Sequence, residues 1–245
     1  MMQKIKLFKP FSQLQALFSL RHGGVSQEPF SSLNLAFHVD DEEADVLANR
    51  ELLKKAFSED VTLHAMQQVH GKEVCHVDSE VLKPTCDALI TDKPNQLLMV
   101  MVADCIPILF FDPVHKAIAA IHAGRAGAFG NIVKQTALKM ADAFGTESKD
   151  LLVALGPSIH NCCYEVGLEV VDEAKGLGYE YALTKRDNSQ FLNIQTIVER
   201  QLKSLGITDE NLEISQICTA CESQDYFSYR KEGKTGRFCG GIMLK

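Results

Sequence analysis

A mixed α+β fold follows from three features of this 245-residue sequence. Apolar runs of strand length are interspersed with amphipathic stretches of helical period. Several runs come as neighbouring pairs across short polar turns, which speaks against a purely parallel sheet. No internal repeat, low-complexity tract or Pro/Gly/Ser linker divides the chain, so one domain over residues 1–245 is expected.

The elements follow in order. Residues 41–57 predict a helix, with Asp40 as N-cap, Glu43 completing a capping-box-like pair, and Ala44, Leu47, Leu53 and Phe57 as the apolar face. Residues 61–77 predict two strands around His70-Gly71-Lys72, and 97–122 predict further strands. A helix is expected over 128–144 with Ile132, Val133, Ala137, Met140 and Phe144 inward, then a short buried strand over 151–155 ending at Gly156-Pro157. Helices over 167–175 and 194–205 and strands over 212–217 and 238–244 complete the reading.

Composition narrows the function. The chain is 46% hydrophobic and 23% charged, neither value pointing to disorder. Its net charge of −7, with Lys and Arg scattered, argues against nucleic acid or an anionic membrane as the main partner. The longest apolar region, 97–123, is broken by Asp104, Pro107, Asp112 and Pro113 and does not read as a membrane span. Met1-Met-Gln-Lys-Ile-Lys lacks an apolar signal core and a small-residue cleavage site, so the cytoplasm is the expected location. In that compartment the eight cysteines read as reduced thiols or metal ligands rather than disulfides.

Two apolar runs flank Asp112-Pro113-Val114-His115, and each gives up one place to a metal-binding residue type, Cys105 in the first and His122 in the second. A hairpin with Asp112 opposite His115 sets Cys105 opposite His122. Opposed Cβ atoms lie about 4.5–5.5 Å apart, close enough to share one metal at bonds of about 2.0–2.3 Å. Pro107 argues for a bulge or edge instead, and a one-residue shift would send Cys105 to the other face. Alternatively Cys105 is a small core residue and His122 a hydrogen-bonded one. A third ligand is left open by spacing. His70 stands at a strand end beside a glycine, but His22, His38, His64, His76, His115 and His160 compete.

Motifs along most of the chain settle that choice by resemblance. Arg21-His-Gly-Gly-Val-Ser, Ser32-Leu-Asn-Leu-Ala, Gln68-Val-His-Gly, Asp87-Ala-Leu-Ile-Thr, Ala103-Asp-Cys-Ile-Pro-Ile-Leu-Phe, His122-Ala-Gly, Gly156-Pro-Ser-Ile-His-Asn-Cys-Cys-Tyr-Glu-Val-Gly, Phe227-Ser-Tyr-Arg and Thr235-Gly-Arg occur jointly and in order. Together they resemble the YfiH-type family, also described as multicopper polyphenol oxidase or laccase-domain proteins. The resemblance implies a layered α/β/β/α fold and a zinc ion held by His70, Cys105 and His122, copper being the less expected metal. Cys105 and His122 are then catalytic. The implied activity is phosphorolysis of adenosine, inosine and methylthioadenosine by a monomer, with adenosine deamination alongside. Three protein ligands would leave the open position of a catalytic zinc. Other readings kept in view are a hydrolase that removes a misincorporated amino acid from peptidoglycan precursors, a copper-dependent phenol oxidase and a non-enzymatic metal-binding module.

Arg21 and Asn34 fall on family motif positions and are expected to contact phosphate or sugar hydroxyls, although Arg21 beside Gly23-Gly24 equally reads as a turn-stabilising arginine. The family usually has His-Ala-Gly-Trp-Arg-Gly, whereas this chain has His122-Ala-Gly-Arg-Ala-Gly127, with Arg125 at the Trp position and Ala126 at the Arg position. Arg125 is therefore the expected phosphate contact, offset by one residue. The glycine-rich segment 124–130 leads into a helix and reads either as an anion-binding turn or as a plain turn. Asp104 either orients a ligand or takes a proton, or else points to the opposite face. Cys218-Thr-Ala-Cys221 lacks the usual four-ligand spacing and reads as ordinary thiols, the other readings being redox activity or a second zinc completed by Cys162, Cys163 or Cys239. Arg230 and Arg237 read as a solvated basic turn.

Overall fold

Residues 97–123 carry apolar side chains at both parities because their strands are buried on both faces. A computed structural model describes residues 2–58, 60–77 and 83–245. The strands are β1 (Met2–Lys4), β2 (Leu14–Ser19), β3 (Thr62–Ala65), β4 (Val74–His76), β5 (Ala88–Thr91), β6 (Gln96–Val102), β7 (Ile106–Asp112), β8 (Ala117–Ala123), β9 (Leu152–Leu155), β10 (Glu165–Val166), β11 (Leu183–Arg186), β12 (Ser189–Leu192), β13 (Leu212–Ile214) and β14 (Phe238–Leu244). The helices are α1 (Glu43–Phe57), α2 (Arg125–Phe129), α3 (Ile132–Phe144), α4 (Leu168–Gly176), α5 (Ile194–Ser204) and α6 (Tyr229–Glu232).

Two mixed sheets form the centre: a five-stranded one in the order β1-β2-β14-β6-β3 and a six-stranded one in the order β13-β9-β7-β8-β5-β4. A small antiparallel sheet, β10-β12-β11, is separate. Alternation sorts the side chains into three layers. Leu98, Val100 and Val102 of β6 meet Leu109 and Phe111 of β7 and Ile118 and Ala120 of β8 between the sheets. On the outer face of the five-stranded sheet, Leu97, Met99 and Met101 pack with Leu53 and Phe57 of α1. On the outer face of the six-stranded sheet, Ile106, Ile108, Phe110 and Ile121 pack with Ile132 and Val133 of α3 and Ile197 and Val198 of α5. The mixed α+β class and the α/β/β/α layering are therefore as the sequence led one to expect.

Three local expectations need correction. The β7–β8 hairpin pairs Asp112 with Ala117 and Pro107 with His122, two residues from the expected register. A shift of two preserves the face, so Cys105, one residue before β7, still shares a side with His122. Pro107 makes no bulge. Its carbonyl accepts from Gly156 just past the end of β9, and its missing N–H falls where that neighbour strand has stopped. The two strands expected around His70 fall in different sheets: β3 runs parallel to β6 in one and β4 parallel to β5 in the other. Finally, α1 starts after Glu42 with no side-chain cap, Asp40 instead closing a preceding 3-10 turn, and its inward stripe is Val46, Asn49, Leu53 and Phe57. Ala44 and Leu47 face outward; the buried Asn49 amide displaces them because it bonds the Ser32 and Asn34 carbonyls and the Ser26 hydroxyl.

Candidate metal centre

The chain passes from the five-stranded to the six-stranded sheet twice, between β3 and β4 and between β6 and β7. Each crossing delivers a side chain to the same place. His70 lies in the first with a left-handed φ of 59°, and Cys105 follows Asp104, whose φ is 91°, in the second. His122, 2% exposed, reaches the same point from the end of β8. One ligand atom from each of the three lies within 4.8 Å of the others, and Cys105 Sγ stands 3.9 Å from His70 Nε2. Tetrahedral donors about 2.0–2.3 Å from one ion stand roughly 3.3–3.8 Å apart, so the trio fits one ion with little adjustment.

Asp87, fully buried, orients two of the three. It is the cross-strand neighbour of His122, whose backbone N–H donates to the Asp87 carbonyl at 2.7 Å. The His122 Nδ1–H donates to Asp87 Oδ1 at 2.8 Å and leaves Nε2 for a metal. The same carboxylate accepts the backbone N–H groups of Val69, His70 and Gly71 at 3.2, 3.0 and 2.7 Å, fixing the loop that carries His70. Burial opposes ionisation of Asp87, but the His122 ring and these amides outweigh it and hold the carboxyl below its usual range. Burial likewise opposes the Cys105 thiolate, yet the His122 charge and hydrogen bonds from both histidines hold it down to about 6. His122 moves the other way. Burial lowers it, but the Cys105 thiolate and Asp87 raise it to about 9.

Gly124 is required by this packing. A Cβ there would meet His70 Cδ2 at 2.8 Å and Cys105 Sγ at 3.1 Å. Gly127 plays a similar part, since a Cβ would come within 3.1 Å of the Gly71 carbonyl. These glycines let the short α2 press on the His70 loop.

His70, Cys105 and His122 line a cavity of about 410 Å³, a size suited to a small molecule. Its other walls include His38, Gln68, Tyr164, Tyr229, Arg230 and Arg237. The basic turn thus faces the site, and these residues were not singled out from sequence as site residues. The Phe227-Ser-Tyr-Arg and Thr235-Gly-Arg motifs were the signal that pointed to the two arginines. Burial, reinforced by Arg237 and Arg50, lowers the pKa of His38, which favours the neutral ring. Asp104 also lines the cavity and acts as a strut, accepting from the Thr219 and Ser228 hydroxyls and the Arg230 N–H, each at 2.7 Å.

Three expected substrate residues are absent from the cavity lining. Arg21, 8% exposed, pairs with Glu232 at 2.6 Å, donates to the Ser31 and Ser223 carbonyls and stacks on Phe227. Asn34, fully buried, bonds Ala36, Asp41 and the Arg237 N–H. Arg125 pairs with Glu173 of α4 and lies over Phe129.

Residues 15–245 match the family model described as multi-copper polyphenol oxidoreductase laccase. The chain is 32% identical over 244 residues to purine nucleoside phosphorylase YlmD of Bacillus subtilis, covering 93% of this chain and 87% of that protein. It is 36% identical over 231 residues to a purine nucleoside phosphorylase of Streptomyces coelicolor, covering 93% and 94%. The crystal structure of Bacillus licheniformis YfiH superposes with a TM-score of 0.90 at 30% identity, covering 96% of this chain and 94% of that one. YlmD of Geobacillus stearothermophilus gives 0.87 at 31%, covering 96% and 93%.

Proposed function

The chain belongs to the multi-copper polyphenol oxidoreductase laccase family, and from that premise we propose that it is a zinc-dependent purine nucleoside phosphorylase acting on adenosine, inosine and methylthioadenosine, with adenosine deamination alongside. The observation that carries the reading is an open His70–Cys105–His122 centre at a cavity that also presents two guanidinium groups. Relatives over 93% of the chain bear the name purine nucleoside phosphorylase.

Phosphorolysis joins a phosphate oxygen to C1′ of the pentose and breaks the C1′–N bond, and the base leaves with that electron pair and takes a proton. Arg230 and Arg237 supply charge-assisted donors for the phosphate. Tyr164 and Tyr229 offer rings against which a purine can lie. His38 has a neutral ring that can accept or pass a proton. Bound at the three ligands, zinc would supply Lewis acidity at a remaining open position. Two histidines and one cysteine suit zinc, and they are also a copper donor set. Among the described residues no cluster gathers the many imidazoles of a multicopper oxidase, so phenol oxidation ranks lower.

A nucleoside panel assayed with and without phosphate tests the reading. Free base and pentose 1-phosphate are expected only with phosphate, and replacing His70, Cys105 or His122 by Ala should lower bound zinc. Base release from no nucleoside overturns the proposal, and amide cleavage of a peptidoglycan precursor without phosphate would replace it.

A further inference from the structure

Cys162, Cys163, Cys218 and Cys221 come from two loops far apart in the chain, yet their Sγ atoms all lie within 4.8 Å of one another. Cys221 Sγ stands 3.7 Å from Cys162 Sγ and 3.4 Å from Cys163 Sγ. Four sulfurs about 2.3 Å from one tetrahedral ion stand about 3.8 Å apart, whereas disulfide sulfurs are about 2.05 Å apart. The observed spacing is that of a metal cage. Adjacent cysteines in one loop and a Cys-x-x-Cys in the other hide the set from a search for two matching pairs.

A backbone N–H and two guanidinium groups lie beside the set. The His160 backbone N–H donates to Cys218 Sγ at 3.5 Å. Arg186 donates to the Cys162 carbonyl and Arg230 to the Cys163 carbonyl, each at 3.2 Å. Four thiolates around a dication leave a net charge of −2, and these two guanidinium groups flank it. The loops are also pinned without metal: Ser158 and Cys218 form a parallel bridge, and the Thr219 N–H donates to the Ser158 carbonyl at 3.0 Å.

We propose that Cys162, Cys163, Cys218 and Cys221 bind one zinc ion in a closed, four-sulfur structural site distinct from the His70–Cys105–His122 centre. Each thiol releases its proton to solvent as its sulfur binds. The ion staples the 158–164 loop to the 218–221 turn. Ile159, Tyr164 and Arg230 line the cavity, and Thr219, inside the Cys-x-x-Cys turn, bonds Asp104 beside Cys105. The staple therefore holds one wall of the candidate site, whichever reaction occurs there.

The experiment is zinc stoichiometry on full-length protein purified with a reductant. Wild type should carry two zinc ions per chain, and His70→Ala with His122→Ala should retain one. Cobalt loaded into that double variant should show the spectrum of a tetrahedral all-thiolate site. Cys162→Ser with Cys221→Ser should also carry one. Should that variant fail to fold, a thiol reagent applied to the His70→Ala, His122→Ala protein should release its zinc as Cys162, Cys163, Cys218 and Cys221 are modified. Absence of zinc from the double histidine variant, unchanged zinc in the double cysteine variant, iron in place of zinc, or zinc that stays bound after the four thiols are blocked would each overturn the proposal.

Discussion

Asp87 Oδ1 lies 2.8 Å from His122 Nδ1 while the same carboxylate collects three consecutive backbone N–H groups around His70. One buried charge thus sets the tautomer of His122 and the loop that carries His70. Asp87→Asn keeps the shape but turns an amide N–H₂ toward backbone donors, and an unsatisfied buried donor costs about 1–3 kcal/mol. Zinc affinity at the three-ligand centre should fall about 10–100-fold, by competition against a chelator. Unchanged affinity would show that the carboxylate is not needed there.

Gly124→Ala tests the closeness of the ligands. The added Cβ meets His70 Cδ2 at 2.8 Å, a contact that one side or the other must relieve. The expected outcome is a folded protein with weakened zinc binding and a kcat loss of about tenfold or more, equivalent to 1.4 kcal/mol. Wild-type binding and turnover would mean that the His70 loop yields without cost.

Arg237→Ala should raise the phosphate KM about tenfold or more with a smaller effect on nucleoside KM, because a lost charge-assisted contact is worth roughly 1.5–3 kcal/mol. Arg237→Lys should recover part of it. Arg125→Ala should leave phosphate KM near wild type, since Arg125 is engaged with Glu173. Phosphate-dependent kinetics at fixed nucleoside separate the two, and the reverse pattern would restore Arg125 as the phosphate contact.

Cys105 in metal-stripped protein should remain reactive to an alkylating agent at unusually low pH. Its folded pKa of about 6 lies below the ordinary thiol value, so thiolate is present above about pH 6 and is lost as pH falls through it. The alkylation rate of Cys105 should have its midpoint near 6, and zinc should protect the residue. A midpoint near 9 would mean that the His122 charge does not reach the sulfur.

Much of this was legible in the primary sequence, and for a definable reason. Period and composition marked the buried strands and the helices, since side-chain alternation and apolar faces are local properties. The motif string, read as a resemblance, selected His70 among competing histidines, which spacing alone had left open. Tertiary structure decided the rest, because each remaining feature depends on which segments meet. Pro107 escapes a bulge because it sits beside the end of β9, a neighbour the local pattern does not name. β3 and β4 lie in different sheets, which makes the segment between them a crossing that aims His70 at Cys105. Asp87 gained its role from pairing across β5 and β8, and Arg237 from a return of the chain to the cavity. The four cysteines looked like ordinary thiols by spacing, until folding brought 162–163 against 218–221. Local periodicity specifies the face a side chain takes, whereas its partner is fixed by long-range packing of the two sheets.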